Sequence, residues 1–206
     1  MTIRTKRSRF RLLIAGAVGL TCTAALAIGL TIWWLRSEAI NDANRDASNL
    51  ALVLAEQINN SIGQIDLTFN EVQKYIEALG ARTQNDFDRM LQGEDTYHWL
   101  KGRVASLPHI GSIALTDKDG RLVNSSNKWP LPPISLSDRE HFKHVKNNDD
   151  QSIYVSNSLT DRVAEIRTIF FAKRINDANN NFLGMISIGV RLSYFQEIYG
   201  SIDSLH

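Results

Sequence analysis

Residues 110–126, IGSIALTDKDGRLVNSS, are where apolar side chains begin to recur at every second position. Ile110 to Thr116 is predicted as a strand. Asp117-Lys118-Asp119-Gly120 is predicted as a turn with glycine where φ must be positive, and Arg121 to Ser126 as the returning hairpin partner. The two aspartates beside Gly120 do not have EF-hand spacing, which needs its glycine at the sixth loop position and a distal glutamate. Calcium is therefore not expected there.

Downstream, NKWPLPPISL at 127–136 holds three prolines, which keep it out of regular structure. Ser137 is a suitable N-cap for a short helix over Asp138–Val145, with Asp138 and Glu140 favourable in its first turn. Gln151–Ser156 and Ile166–Arg174 read as strands, Asn176–Asn181 as a polar turn, and Phe182–Val190 as a further strand, too short to cross a membrane as a helix. Ser193–Ile202 reads as a closing amphipathic helix. Upstream, residues 82–106 read as a helix capped by Thr83 or Asn85, weakened near Gly93 and ended by Pro108. Strands grouped beside helices in this order predict an α+β domain with a mainly antiparallel sheet.

Before Leu107 there is no proline, and one long helix is predicted over residues 12–79. Its first part, LLIAGAVGLTCTAALAIGLTIWWL at 12–35, carries no charge. At this length a helix runs about 36 Å, enough for a hydrocarbon core of ~30 Å. Arg4, Lys6, Arg7, Arg9 and Arg11 precede it with no acid among them, so the positive-inside rule leaves the N-terminus in the cytoplasm and the remainder outside. Trp33 and Trp34 occupy the place of an interfacial aromatic belt. A cleaved signal peptide is the alternative, since Ala25-Leu26-Ala27 resembles a cleavage site. The apolar run continuing to Leu35 favours an uncleaved anchor.

Beyond Arg36 a stripe continues through Ile40, Ala43, Ala47, Leu50, Leu54, Ile58, Ile62, Ile65, Phe69, Val72, Ile76 and Leu79, in steps of three and four, with Gly80 placed to end the helix. Such a stripe either packs on its own domain or joins two subunits. The expected arrangement combines the two, with a homodimer seam near the membrane and domain packing further out. The expected divisions are a basic cytoplasmic tail at 1–11, a transmembrane helix at 12–35, a stalk at 36–80, a domain at 81–202 and a truncated tail at 203–206.

The 206 residues carry a net charge of +1. Five of the 23 basic side chains fall in the first eleven residues, leaving 18 against 22 acids, a balance of −4 over the rest. A mildly acidic exported part argues against nucleic-acid binding. Cys22, the only cysteine, lies inside the predicted span, so the exported domain has no disulfide, zinc cluster or thiol nucleophile.

The runs Leu115–Val123, Ser137-Asp138-Arg139-Glu140-His141-Phe142, Phe171-Ala172-Lys173-Arg174-Ile175, Phe182-Leu183-Gly184-Met185-Ile186 and Tyr194-Phe195-Gln196-Glu197-Ile198-Tyr199, in this order and spacing, resemble the extracytoplasmic Cache-type, PAS-like sensor domain. The resemblance is to the version found at the N-terminus of membrane-bound bacterial diguanylate cyclases and sensor histidine kinases, and it covers roughly Arg36 to Ile202. It implies a five-stranded antiparallel sheet with the long N-terminal helix along it. It also implies a small-molecule pocket on one sheet face, roofed by residues 127–145, to which Arg139 and His141 contribute. Amino-acid-binding relatives carry Arg-x-Trp-Tyr and dicarboxylate-sensing relatives Arg-Pro-Tyr-Phe, and Arg139-Glu140-His141-Phe142 departs from both. The chain holds no second apolar run and no output-domain motif, so the resemblance implies an input domain in a bacterial inner membrane, the sensor lying in the periplasm. Either a cyclase or kinase output lies outside this chain, as part of a larger receptor, or the chain is a small stand-alone sensor relic.

Among candidate ligand contacts Arg139 comes first, because its planar fork matches a carboxylate. The alternative is an Arg–Asp pair holding the loop. His141 follows. Lys173 and Arg174 are neighbours on a strand and face opposite ways, and Lys173 is taken as the one facing the ligand. Tyr154, Ser156 and Trp129 complete the expected lining. His141 and His144 stand one turn apart, but a stable metal site needs three or four ligands, and no metal or cofactor is expected. No nucleophile elbow or glycine-rich phosphate loop occurs, so no catalysis is expected. The expected function is a membrane-anchored sensor of a small solute, with carboxylates favoured. The alternative is an anchored dimerisation module with no ligand.

Overall fold

The structure is a computed structural model. It describes the backbone of residues 4–81 and 83–194, with side chains continuous from Ser48 to Ala81 and from Thr83 to Tyr194; earlier side chains described are Leu26, residues 28–36, Glu38 and Arg45. The first helix, α1, spans Arg4–Ala78. The chain divides into two compact units, Met1–Asn59 and Asn60–His206.

The first unit is helical. Leu26, Ile28, Leu30, Ile32, Trp33, Trp34 and Leu35 are all exposed, as are Leu52, Val53 and Ile58. Most of the span predicted over 12–35, including Cys22, lies outside the described side chains, as does the basic tail. Among the described residues no helix is long and apolar enough to cross a membrane.

The second unit starts with the last turns of α1. Here the predicted stripe is buried: Ile65, Phe69, Val72 and Ile76 each expose 3% or less. The helix closes at Gly80, whose φ is +75°. The segment expected as one helix forms two, α2 (Gln84–Leu91) and α3 (Glu94–Ala105), parted where Gly93 becomes the N-cap of α3. Thr83 caps α2: its Oγ1 accepts from the Asp86 N–H at 3.3 Å and donates to the Asp86 carboxylate at 2.7 Å.

The strands are β1 (Ile110–Asp117), β2 (Leu122–Ser125), β3 (Tyr154–Thr160), β4 (Arg167–Asn176) and β5 (Phe182–Arg191). They form one antiparallel sheet in the order β2-β1-β5-β4-β3. At the β1–β2 turn Gly120 has φ +82° and a Cβ there would stand 2.7 Å from the Ser137 nitrogen, so the turn requires glycine on both counts.

The period-two pattern gives the sheet two faces of different character. Ile113, Leu115, Ile186, Ile188 and Val190 enter one core with Phe69, Val72, Phe87, Leu91 and Leu100 from the helices. The opposite face carries Ser112, Ala114, Ala172, Met185 and Ser187. There a short helix, α4 (Glu140–Asn147), packs Phe142 and Val145 against Ala172 and Met185.

Among the boundaries that differ from expectation, two bear on the site. The N-cap of α4 is Arg139, not Ser137, because the Ser137 N–H donates to Ser135 Oγ and its hydroxyl accepts from the same oxygen, holding 135–137 in a turn outside the helix. The third strand starts at Tyr154, not Gln151, and reaches Thr160 across a β-bulge between Val155 and Ser158. Of the closing helix, residues 192–194 are helical and Phe195–Ile202 lie outside the described residues.

Candidate functional site

Register brings together a row of side chains, all small except Tyr154, that are far apart in the sequence. Ser125 faces Ala114, Ala114 faces Ser187, Ser187 faces Ala172, and Ala172 faces Tyr154, crossing all five strands. The adjacent row runs Ser112, Gly189, Phe170. Small residues leave space above the sheet, and α4 with the chain around it covers that space. The result is a cavity of about 20 Å³, floored by Ser112, Ala114, Ser125 and Ser187 and covered by Leu136, Arg139 and His141. Asp161, Arg162 and Val163 of the β3–β4 connection close one side.

His141 lies in the first turn of α4 and is 1% exposed. Its ring stacks on Phe170, with centroids 5.2 Å apart at 21°. Neither Nδ1 nor Nε2 has a hydrogen-bond partner. Burial, reinforced by the nearby Arg139 cation, pushes its pKa down to about 4, so the imidazole is neutral near pH 7. A neutral imidazole has one donor and one acceptor, and both are unanswered in a residue that lines the cavity.

Arg139 donates one Nη to the Thr160 carbonyl at 2.9 Å. Burial and the Arg162 charge lower its pKa from the ordinary guanidinium value, which leaves it charged. The aspartate beside it in sequence pairs elsewhere. Asp138 takes both Arg162 nitrogens, at 2.8 and 2.6 Å, and the Arg162 guanidinium also donates to the Ser135 carbonyl. The bonds to Arg162 hold the Asp138 carboxyl down at about 2. This bidentate clasp ties the β3–β4 connection to the turn before α4. Asp161 is internally satisfied: Oδ1 accepts the N–H groups of Val163 and Ala164, at 2.7 and 3.1 Å, and Oδ2 accepts Ser112 Oγ at 3.2 Å.

The six residues expected to line a pocket are distributed among different tasks. Arg139 and His141 line the cavity. Tyr154 shares the cavity's sheet face but its hydroxyl donates to Glu140 at 2.7 Å and its ring stacks on His144, holding α4 in place. Ser156 sits in the β-bulge, where its Oγ accepts the Phe170 N–H at 3.0 Å. Lys173 pairs with Ile186 and so belongs to the helix-covered face. Its neighbour Arg174 is the one on the cavity's face, but its guanidinium is committed to the Val145 and Asn148 carbonyls at the end of α4. Trp129 lies over Tyr97 and lines a second, open groove with Arg121 and Pro130–Pro133. Sequence reasoning missed Ser112, Ser125, Ser187, Asp161, Arg162 and Phe170. Part of that signal was present, because Ser112 and Ala114 alternate with Ile113 and Leu115 along β1.

No protein-family description matches the sequence, and no curated protein matches it significantly. Among solved structures, the chain is similar to the extracellular domain of rpHK1S-Z16, described as a histidine kinase. The TM-score is 0.63 at 21% identity, over 74% of this chain and 59% of that one. The chain thus spans 59% of that domain's length. Weaker likenesses are the Vibrio cholerae histidine kinase DctB sensor domain (TM-score 0.45, 17% identity, 70% of this chain and 57% of that one) and the ligand-binding domain of the Campylobacter jejuni chemoreceptor Tlp3 (TM-score 0.42, 16% identity, 67% and 57%). The sheet order, the helix-covered face and the rpHK1S-Z16 likeness agree on one point: this chain has the fold of an extracellular sensor domain of the Cache, PAS-like type.

Proposed function

We propose that the chain is the input part of a membrane-anchored receptor that senses a small solute outside the cytoplasm, and that the solute binds in the cavity under α4. The observation that carries this reading is His141. A side chain so deeply buried, with two unpartnered ring nitrogens in a residue that lines the cavity, costs about 1–3 kcal/mol per unmet group without a ligand or water to answer it. Arg139, beside it with donors to spare, favours a carboxylate-bearing solute.

In this reading residues 12–35 anchor the chain in a bacterial inner membrane, and α1 relays the change inward. The stripe through Leu50, Leu54 and Ile58, of which Ile58 is exposed, suits a homodimer seam along α1. Chemical cross-linking of the full chain checks that pairing, and a monomer at every concentration refutes it. The output is a diguanylate cyclase or histidine kinase, a proposal resting on the sequence resemblance. A ligand moves such an equilibrium only by its differential affinity for two states, so the cavity must change shape on binding.

A second reading is favoured by the cavity's size. At about 20 Å³ it has room for about one water, which suits an anchored dimerisation module with no ligand. A thermal-shift screen of the full chain in detergent micelles, over carboxylates, amino acids, amines and nucleobases, separates the two. At a hundredfold excess over Kd a ligand stabilises by about 2.7 kcal/mol. A hit abolished by Arg139→Ala supports sensing. A flat screen from well-folded protein supports the module.

A further inference from the structure

We propose that the contact fastening the end of β5 to α1 is released by acid: protonation of His109 parts Tyr194 from Ser61, so that external acidity acts on the domain at a place separate from the cavity under α4. The fastening stands apart from the sensor reading, and only the side of the membrane from which the acid comes rests on it.

Three segments distant in the sequence meet here. Tyr194, three residues beyond the end of β5, shares a hydrogen bond with Ser61 of α1, the two hydroxyl oxygens standing 3.2 Å apart. Its ring packs on that of His109, in the connection between α3 and β1, with centroids 5.8 Å apart at 47°. One residue earlier, the Pro108 carbonyl accepts from the Arg191 guanidinium at 3.3 Å, which holds the same connection to the last residue of β5. All three segments belong to the compact unit Asn60–His206.

His109 is the member of this group that changes charge in mild acid. It is 4% exposed, and its Nε2 is buried without a hydrogen-bond partner. Burial alone pushes its pKa below the ordinary 6.5.

The groups around it give a cation no relief. From β5 and beyond come Arg191, itself a cation, and the Tyr194 phenol. Arg103, the basic side chain in the last turn of α3, is turned to Glu71 of α1 and to the Trp99 ring. No acid from any element packed here bears on the titration of His109. The Tyr194 ring attracts an imidazolium, but less than the water that burial removes. A protonated ring therefore regains hydration only by leaving the contact, and Tyr194 loses the surface on which it rests. Ser61 and Tyr194 are both partly exposed, so exchanging their mutual bond for bonds to water is nearly even.

The test is hydrogen exchange by mass spectrometry on the full chain in detergent micelles at pH 7.5 and pH 5, corrected for the intrinsic pH dependence of amide exchange. A ring that titrates at 6.5 once released raises opening by at most about 30-fold between these values, and a severalfold rise is expected in both residues 60–66 and 190–194. His109→Phe, which keeps an aromatic ring against Tyr194 and does not titrate, is expected to abolish the rise. His141 and the carboxylates titrate in both proteins and cancel in the comparison. His109→Gln, also without a charge, takes its place if the phenylalanine variant does not fold. Equal corrected exchange at the two pH values in wild type overturns the proposal without recourse to either variant. A rise confined to residues 107–112 overturns it as well, because the histidine then titrates while Tyr194 stays on Ser61. So does a rise that persists in the variant, which belongs to another group. Each of these leaves the binding of a solute under α4 untouched.

Discussion

Replacing His141 by phenylalanine separates a binding histidine from a structural one by its effect on stability. In the folded protein His141 titrates near 4 instead of 6.5. The folded state therefore binds fewer protons than the unfolded state between these values, and stability falls as pH drops through that window. The gap of about 2.5 pH units, at about 1.36 kcal/mol each, makes the full loss about 3 kcal/mol, most of it incurred by pH 4.5. Phenylalanine has no such titration, can keep the stack on Phe170, and leaves no orphaned nitrogens. It is expected to be more stable than wild type by about 1 kcal/mol or more near pH 7.5, with the margin widening by about 2–3 kcal/mol near pH 4.5. Urea unfolding of the compact unit Asn60–His206 at the two pH values measures both numbers. His109, also lowered by burial, and the carboxylates are common to both proteins and cancel in the difference. Parallel pH curves, or a variant less stable than wild type at neutral pH, would refute the assignment of a neutral, unpartnered imidazole.

Two further outcomes follow from contacts elsewhere in the domain. A Cβ at Gly184 would stand 2.1 Å from the Thr116 carbonyl oxygen and 3.2 Å from the Phe87 ring, so Gly184→Ala must push β5 from β1. A loss of about 2 kcal/mol or more in urea unfolding is expected, and a change under about 0.5 kcal/mol would contradict that contact. Asp138→Asn removes the charge from a clasp whose partners are largely exposed. Stability should then move by less than about 1 kcal/mol, while amide hydrogen exchange over residues 162–166 should accelerate. Unchanged exchange would mean that the clasp does not restrain this connection.

Local chemistry made much of the fold readable from the sequence. The alternation at 110–126, the glycines at 80, 93 and 120 and the stripe from Ile65 to Ile76 each act within a few residues, and the structure uses each as its chemistry suggests. The cap of α4 was misread because Ser137 has two possible uses, and a bond to Ser135 wins over capping. Lys173 was preferred to Arg174 because a one-residue change of parity reverses the face, and the sequence does not number strand faces. The cavity floor was the least legible part. Ser112, Ala114, Ser125 and Ser187 acquire a common purpose only through the register of strands distant in sequence, and Asp138 meets Arg162 across 24 residues. His141 was recognisable as a candidate, but its lack of partners is a property of what does not surround it.

α4 is tied at both ends. Its last carbonyl region is held to β4 by the Arg174 guanidinium, which reaches both Val145 and Asn148, and its start is held to β3 by the Tyr154 hydroxyl on Glu140 and by Arg139 on the Thr160 carbonyl. A short rod fastened at both ends cannot swing about either one while the other holds. Displacement of α4 from the sheet therefore has to break the fastening at one end first, and which end yields decides whether the helix tilts toward β3 or toward β4.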